Sequence, residues 1–217
     1  AAAVHERDGV IDKFIGDALM AYWGEPFVPA SAQGEEAVAA GLDQLQRLKA
    51  FREQVPEILG IRKNIPSINM RIGIATGPAL IGSVGSDMHR NYTVMGDTVN
   101  LASRLEGACK AYGIHMLVDE GTRVICERIP FREIDYLRVK GKEEPIRVFQ
   151  PLGLQPEQEV LDNGAAFEEG LEAYRMQSFD KADKAFRRAL EALPSDPVAR
   201  VFVDRLALMR ETPPQAG

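Results

Sequence analysis

Cysteine is scarce in this chain: two residues in 217, Cys109 and Cys126. Their spacing matches no metal-ligand pattern, and so sparse a pair reads as reduced thiols of a cytoplasmic protein. Long hydrophobic runs are missing as well. None approaches the roughly 18 residues that a membrane helix needs, and no signal peptide opens the chain. The polypeptide therefore reads as soluble, either cytoplasmic or the cytoplasmic portion of a membrane-anchored protein. Basic charge is not in excess: 26 Lys and Arg against 32 Asp and Glu leave a net charge of -6. A nucleic-acid partner would ordinarily demand a basic patch, so none is expected. There is no Gly-x-x-x-x-Gly-Lys-Ser/Thr run, and no dinucleotide fingerprint follows a strand.

The hydrophobic share of 45% and charged share of 27% suit a globular protein with an ordinary core. The length allows one domain plus a small appendage. The most informative stretch is Tyr92-Thr-Val-Met-Gly-Asp-Thr-Val-Asn-Leu-Ala-Ser-Arg104. Tyr92 to Met95 suits a strand, Gly96 breaks it, and Asp97 or Thr98 can cap a helix. Val99, Ala102, Leu105 and Ala108 recur at helical spacing and are expected to face a core. Asn100 and Arg104, four apart, share a face. They could clamp a phosphate and a sugar oxygen, or be an exposed polar pair.

Val10 to Ile15 reads as a strand, with Val10, Asp12 and Phe14 on one face and Ile11, Lys13 and Ile15 on the other. Gly16-Asp17 is a turn signal, and Ala18 to Trp23 returns as the partner strand. A carboxylate at such a tip suits Mg²⁺, which takes one or two carboxylates plus phosphate oxygens; an ordinary Gly-Asp turn is the alternative. Lys13 is an uncommon choice in mid-strand, unless it snorkels to the surface. Glu35 to Gln54 should be a helix with a stripe of Val38, Leu42, Leu45, Leu48 and Phe51, ended by Pro56. Ile68 to Ala75 and Ala79 to Val84 read as strands around a Thr76-Gly-Pro turn, followed by a polar loop from Ser86 to Asn91. After the central helix come a strand (115 to 118), a short helix (120 to 127), and a hairpin of Phe131 to Val139 with Ile146 to Leu152.

The stretch around Asn100 resembles the signature of the class III nucleotidyl cyclases, the adenylyl and guanylyl cyclase catalytic domains. Gly9-Val-Ile-Asp-Lys-Phe-Ile-Gly-Asp-Ala-Leu-Met-Ala21 is similar to that family's metal-bearing hairpin. Arg71-Ile-Gly-Ile-Ala-Thr-Gly77 with Gly82-Ser-Val-Gly85 resembles the strand pair between the two. Three motifs in family order span roughly residues 5 to 150. The resemblance implies an α+β fold, a ferredoxin-like βαββαβ core with an added C-terminal hairpin. It implies conversion of ATP to 3′,5′-cyclic AMP and pyrophosphate, by in-line attack of the ribose 3′-hydroxyl on the α-phosphorus. Two Mg²⁺ or Mn²⁺ ions per site are implied, with Asp17 as a metal ligand. Arg104 would stabilise charge at the α-phosphoryl group, Asn100 would orient the ribose, and Lys140 would bind the triphosphate.

Lys13 and Thr93 match the family's purine-selecting positions. A lysine ammonium satisfies adenine N1 but meets the N1 proton of guanine, and a threonine hydroxyl can bond the 6-amino group. The pair favours ATP over GTP. The family's sites lie between two catalytic domains, which implies a symmetric homodimer, and such domains are often fused to upstream sensor or membrane segments. The run carrying the first metal aspartate does not occur here. The expectation is a domain lacking its first strand and helix, with weak or absent turnover by itself.

Beyond the core, Gly153 to Asn163 reads as a linker. Gly170, Ala182, Phe186, Ala189 and Pro194 then fall at tetratricopeptide-like spacing, predicting helices over 165 to 176, 180 to 193 and 196 to 210 within an appendage spanning 164 to 217. A single repeat cannot bury its apolar face alone, so this appendage must dock on the core, on a second chain, or on another part of the protein. Three further readings stand beside the adenylyl cyclase: a non-catalytic dimerisation or nucleotide-sensing module, a scaffold working through its helical tail, and a guanylyl cyclase.

Overall fold

A computed structural model of the chain describes residues 1–61, 63–86, 89–138 and 144–211. A short helix α1 (Ala2–His5) leads into the hairpin β1 (Val10–Ile15) and β2 (Ala18–Tyr22), and then the long helix α2 (Gln33–Leu59). Next come β3 (Ile72–Ile74), β4 (Leu80–Ser86), β5 (His89–Met95), helix α3 (Asp97–Tyr112), β6 (Met116–Asp119) and α4 (Glu120–Val124). The strands β7 (Phe131–Leu137) and β8 (Ile146–Pro151) precede three helices, α5 (Gln158–Arg175), α6 (Phe179–Ala192) and α7 (Pro197–Glu211). Among the described residues no helix is long and apolar enough to cross a membrane.

A four-stranded sheet in the order β3-β6-β8-β7 forms the centre, and β1-β2 and β4-β5 stand apart as two-stranded ribbons. β6 is buried at every position, and its alternating side chains divide the core in two. Met116 and Val118 join Val38 and Ala39 of α2 together with Phe149. Leu117 faces the other way, into a cluster with Leu105 of α3, Ile134, Val148, and Phe167, Phe186 and Phe202 of the last three helices. The sheet is thus covered on both faces, and the fold is α+β.

The strand pairing differs from the sequence expectation. β3 does not turn back onto β4. It runs parallel to β6, with Ile72 opposite Met116 and Ile74 opposite Val118, while β4 pairs antiparallel with β5. A parallel partner requires a crossover, which the β4-β5 ribbon and α3 supply. Gly73 permits the packing: a Cβ there would lie 2.0 Å from the carbonyl oxygen of Ala102 and 2.4 Å from the amide nitrogen of Glu106. The backbone of α3 therefore rests directly on β3. This also shifts the buried stripe of α3 to Leu101, Leu105, Cys109 and Tyr112, leaving Val99, Ala102 and Ala108 half-buried.

Other boundaries moved for local reasons. α2 passes through Pro56 and ends at Gly60, which is left-handed at φ 65°. A proline loses its own N–H and crowds the carbonyl of the preceding turn, but the Pro56 carbonyl still accepts from the Ile61 amide at 3.0 Å, closing the last turn. The far end of the expected stripe is solvated, with Phe51 44% exposed. The Ser86–Asn91 loop is shorter than anticipated, because strand pairing continues to Ser86 and His89. The linker is shorter too: α5 begins at Gln158, and Asn163 is buried. The terminal helices dock on the domain itself, their three phenylalanine rings 5.0–5.3 Å apart within the cluster that contains Leu105 and Ile134.

Candidate active site

The β1-β2 hairpin turns at Gly16 (φ 63°) and presents Asp17 at its tip, exposed. Five residues before Asp17, the strand departs from regular geometry. Ile11 pairs with Ala21 and Lys13 with Met20, so Asp12 has no partner and forms a bulge. In a regular strand Asp12 and Lys13 would point to opposite faces, as the sequence reading had them. A bulge re-aims side chains, and here both residues reach one hydroxyl, that of Thr93 on β5.

Lys13 Nζ donates to Thr93 Oγ1 at 2.9 Å. Thr93 Oγ1 donates to Asp12 Oδ2 at 2.8 Å, with a longer approach of 3.4 Å to the Val94 carbonyl. Lys13 and Asp12 also face each other at 3.4 Å, with the lysine side chain 41% exposed and the aspartate 2%. Thr93 is itself buried and sits opposite Gly82, which has no side chain. Nearby, burial raises the Tyr22 phenol above its ordinary value, with Tyr92 and Asp12 adding to the effect. Two residues 80 positions apart in sequence thus share a hydrogen bond, one ammonium still open to solvent and one hydroxyl held from behind.

The other candidates lie on α3. Its N-cap is Gly96, without a side-chain cap bond. The capping role considered for Asp97 or Thr98 is not taken up. Thr98 instead donates to the Pro78 carbonyl at 2.8 Å, tying the start of α3 to the segment before β4. Asn100 is exposed and Arg104 half-buried, and among the described residues neither side chain makes a hydrogen bond or ion pair. No such contact joins them to Lys13, Thr93 or Asp17. Lys140 lies outside the described residues.

Among the described residues no group of three or more His, Cys, Asp or Glu side chains could hold a metal ion. Asp17 offers one hard oxygen donor at an open turn, the donor type that Mg²⁺ accepts alongside phosphate oxygens. The residue that the sequence reading missed is Asp12. An acidic residue beside a mid-strand lysine was its only signal, and the bulge that swings it round depends on pairing partners far along the chain.

Residues 5–150 match the family described as the adenylate and guanylate cyclase catalytic domain. The chain is 30% identical over 212 residues to the terminal-differentiation specific adenylate cyclase of Dictyostelium discoideum, covering 94% of this chain and 10% of that protein. It is 34% identical over 164 residues to adenylate cyclase 1 of Rhizobium meliloti, covering 75% of this chain and 24% of that protein. The crystal structure of the adenylyl cyclase CyaB from P. aeruginosa superposes with a TM-score of 0.62 at 30% identity, covering 72% of this chain and 77% of that one. Guanylyl cyclases also occur among the matches. The chain spans a quarter or less of the length of the two curated relatives named here. With three ordered motifs and the match over residues 5–150, the chain belongs to the adenylate and guanylate cyclase catalytic domain family.

Proposed function

We propose that this domain is the catalytic part of an adenylyl cyclase, which converts ATP to 3′,5′-cyclic AMP and pyrophosphate for intracellular signalling in the cytoplasm. The observation that carries the reading is the 2.9 Å bond from Lys13 to Thr93. It joins an ammonium suited to adenine N1 and a hydroxyl oxygen suited to the 6-amino group at one place. Guanine would bring its N1 proton against the Lys13 donor, and a donor that the bound base covers and leaves unpaired costs about 1–3 kcal/mol. The same bond ranks the guanylyl cyclase below.

Asn100 orients the ribose, and Arg104 stabilises negative charge at the α-phosphoryl group. Lys140 contacts the triphosphate. Asp17 holds Mg²⁺ or Mn²⁺, two ions per site, which when bound neutralise the triphosphate and favour ionisation of the 3′-hydroxyl. The side chains of Asn100 and Arg104 make no hydrogen bond or ion pair among the described residues, which leaves them available to substrate.

The working unit is a symmetric homodimer with shared sites. Phe14, Ile15, Leu80 and Tyr92 on the two neighbouring ribbons are 59–73% exposed, an apolar group of the kind that marks an association surface. An upstream sensor or membrane segment belongs to the same proposal.

The test is cyclic-nucleotide formation from ATP and GTP with Mn²⁺ or Mg²⁺, by the 217-residue chain and by its full-length protein, each with and without Asp17→Ala. Cyclic AMP that disappears in the variant supports the cyclase. No product from the full-length dimer under any of these conditions replaces it with the non-catalytic nucleotide-binding module.

A further inference from the structure

We infer that Asp12 is a specificity-positioning residue: it fixes the direction of the Thr93 hydroxyl proton, and so makes Thr93 a reader of the 6-amino group rather than of a 6-oxo group. This deepens the proposed function and rests on it. A threonine hydroxyl has one proton and two lone pairs, and can offer a base either donor or acceptor character. Alone, it is a poor discriminator. In this site the choice is removed. A carboxylate facing an ammonium can only accept, and the Asp12 oxygen is 2.8 Å from Thr93 Oγ1. The Val94 carbonyl competes for the same proton from 3.4 Å, and the shorter, charge-assisted bond wins.

With its proton held by Asp12, Thr93 accepts from Lys13 through one lone pair and has one left. That remaining lone pair can satisfy an N–H of the 6-amino group. Against the 6-oxo group of guanine or hypoxanthine it sets acceptor against acceptor. The aspartate also faces the Lys13 ammonium at 3.4 Å, which keeps that group at the edge of the same hydroxyl. Asp12 does not need to touch the base. With its side chain 2% exposed, it acts from behind Thr93.

The experiment measures displacement of a fluorescent ATP analogue, in Mn²⁺, by three triphosphates that differ along one edge of the purine. These are ATP, purine riboside triphosphate with no 6-substituent, and inosine triphosphate with a 6-oxo group. The unaltered chain should bind them in that order, with roughly tenfold or more between first and last. In Asp12→Asn the amide can donate to Thr93 and release its proton toward the base. The ratio of ATP to inosine triphosphate should then fall about tenfold, chiefly because ATP weakens to the level of purine riboside triphosphate. Asp12→Glu, which keeps an acceptor, should restore part of the ratio. In a Thr93→Val background, Asp12→Asn should change the ratio by less than about twofold.

A folded Asp12→Asn that weakens all three nucleotides equally would mean that Asp12 is merely structural, and would overturn the inference. Should Asp12→Asn not fold, the order in the unaltered chain decides: inosine triphosphate binding as well as purine riboside triphosphate also overturns it. Failure of every triphosphate to bind, to this chain and to its full-length protein alike, overturns the proposed function itself, and this inference with it.

Discussion

Arg132 on β7 and Asp196, just before α7, meet in a two-point ion pair: Nη1 to Oδ2 at 2.7 Å and Nη2 to Oδ1 at 2.8 Å. Their side chains are 4% and 1% exposed. Asn163 of α5 receives a bond from Arg132 and donates to Asp196, and Gln150 of β8 accepts two more from the guanidinium. Two neighbours on β7 continue the seam. Glu133 pairs with Arg175 of α5 and with Arg147, while Asp135 accepts from Tyr112 of α3 and from Arg205 of α7. The helices are joined to the sheet by charge as well as by phenylalanine.

Removing one partner strands the other. Asp196→Ala leaves the buried Arg132 charge without its counter-ion, which should cost about 3–5 kcal/mol. Urea denaturation at neutral pH measures this as a lower midpoint. A midpoint unchanged within error would mean that the pair is solvated in solution.

The same pair predicts an acid limb. Burial pushes the Asp196 carboxyl up, but the Arg132 bonds outweigh it and hold the group below its ordinary 3.8. A depressed folded pKa stabilises above the unfolded value, and that contribution is lost as pH falls through the folded one. Stability should therefore decline as pH drops below about 4, and Asp196→Asn should flatten this part of the profile. Glu133 shifts the same way for a similar reason, burial opposed and overcome by Arg147 and Arg175, so some acid dependence will persist in the variant.

Gly73→Ala tests whether the candidate site depends on close packing of α3 against β3. The added methyl would overlap the Ala102 carbonyl at 2.0 Å, and because that atom is backbone the helix itself must move. Overpacking of this kind typically costs 1–3 kcal/mol. Since α3 bears Asn100 and Arg104, thermal stability and cyclic-nucleotide formation should fall together. Full activity in a destabilised protein would separate the helix position from the chemistry.

Arg104→Ala and Asp17→Ala should do the reverse. Arg104 has no side-chain hydrogen bond or ion pair among the described residues, and Asp17 is exposed, so stability should change by no more than about 0.5 kcal/mol. Loss of a preorganised donor at a developing charge costs about 10²–10³ in kcat, the expectation for Arg104→Ala. For Asp17→Ala the expectation is loss of Mn²⁺-dependent turnover. Thermal melts run beside the activity assays distinguish these effects from misfolding.

The two thiols should be inert while the protein is folded. Burial pushes both Cys109 and Cys126 up to about 12, so little thiolate exists near pH 8. Iodoacetamide should label neither until urea is added, as read by mass spectrometry. Rapid labelling of the native protein would show that local opening exposes them.

The local geometry of the candidate residues was legible in the sequence, because short-range rules set it. A Gly-Asp pair makes the turn that carries Asp17, and residues four apart on a helix share a face, which places Asn100 with Arg104. The composition of each short segment also announced the β1-β2 and β7-β8 hairpins and the three terminal helices. The resemblance put Lys13 and Thr93 together, which spacing alone could not, and the two side chains share a 2.9 Å hydrogen bond.

What the chain could not disclose locally, the tertiary structure decided. Strand pairing is chosen by long-range contact: β3 lies beside β6 because α3 crosses between them on a glycine, and no period in the sequence encodes that choice. The terminal helices meet the sheet through Arg132 and Asp196, 64 residues apart, so their docking surface could not be read from either segment alone. Asp12 is the sharpest case. Alternation assigns it to the face opposite Lys13, and a one-residue bulge, set by the register with β2, brings it to the same hydroxyl. The sequence determines which groups are present; the register of distant strands decides which way they point.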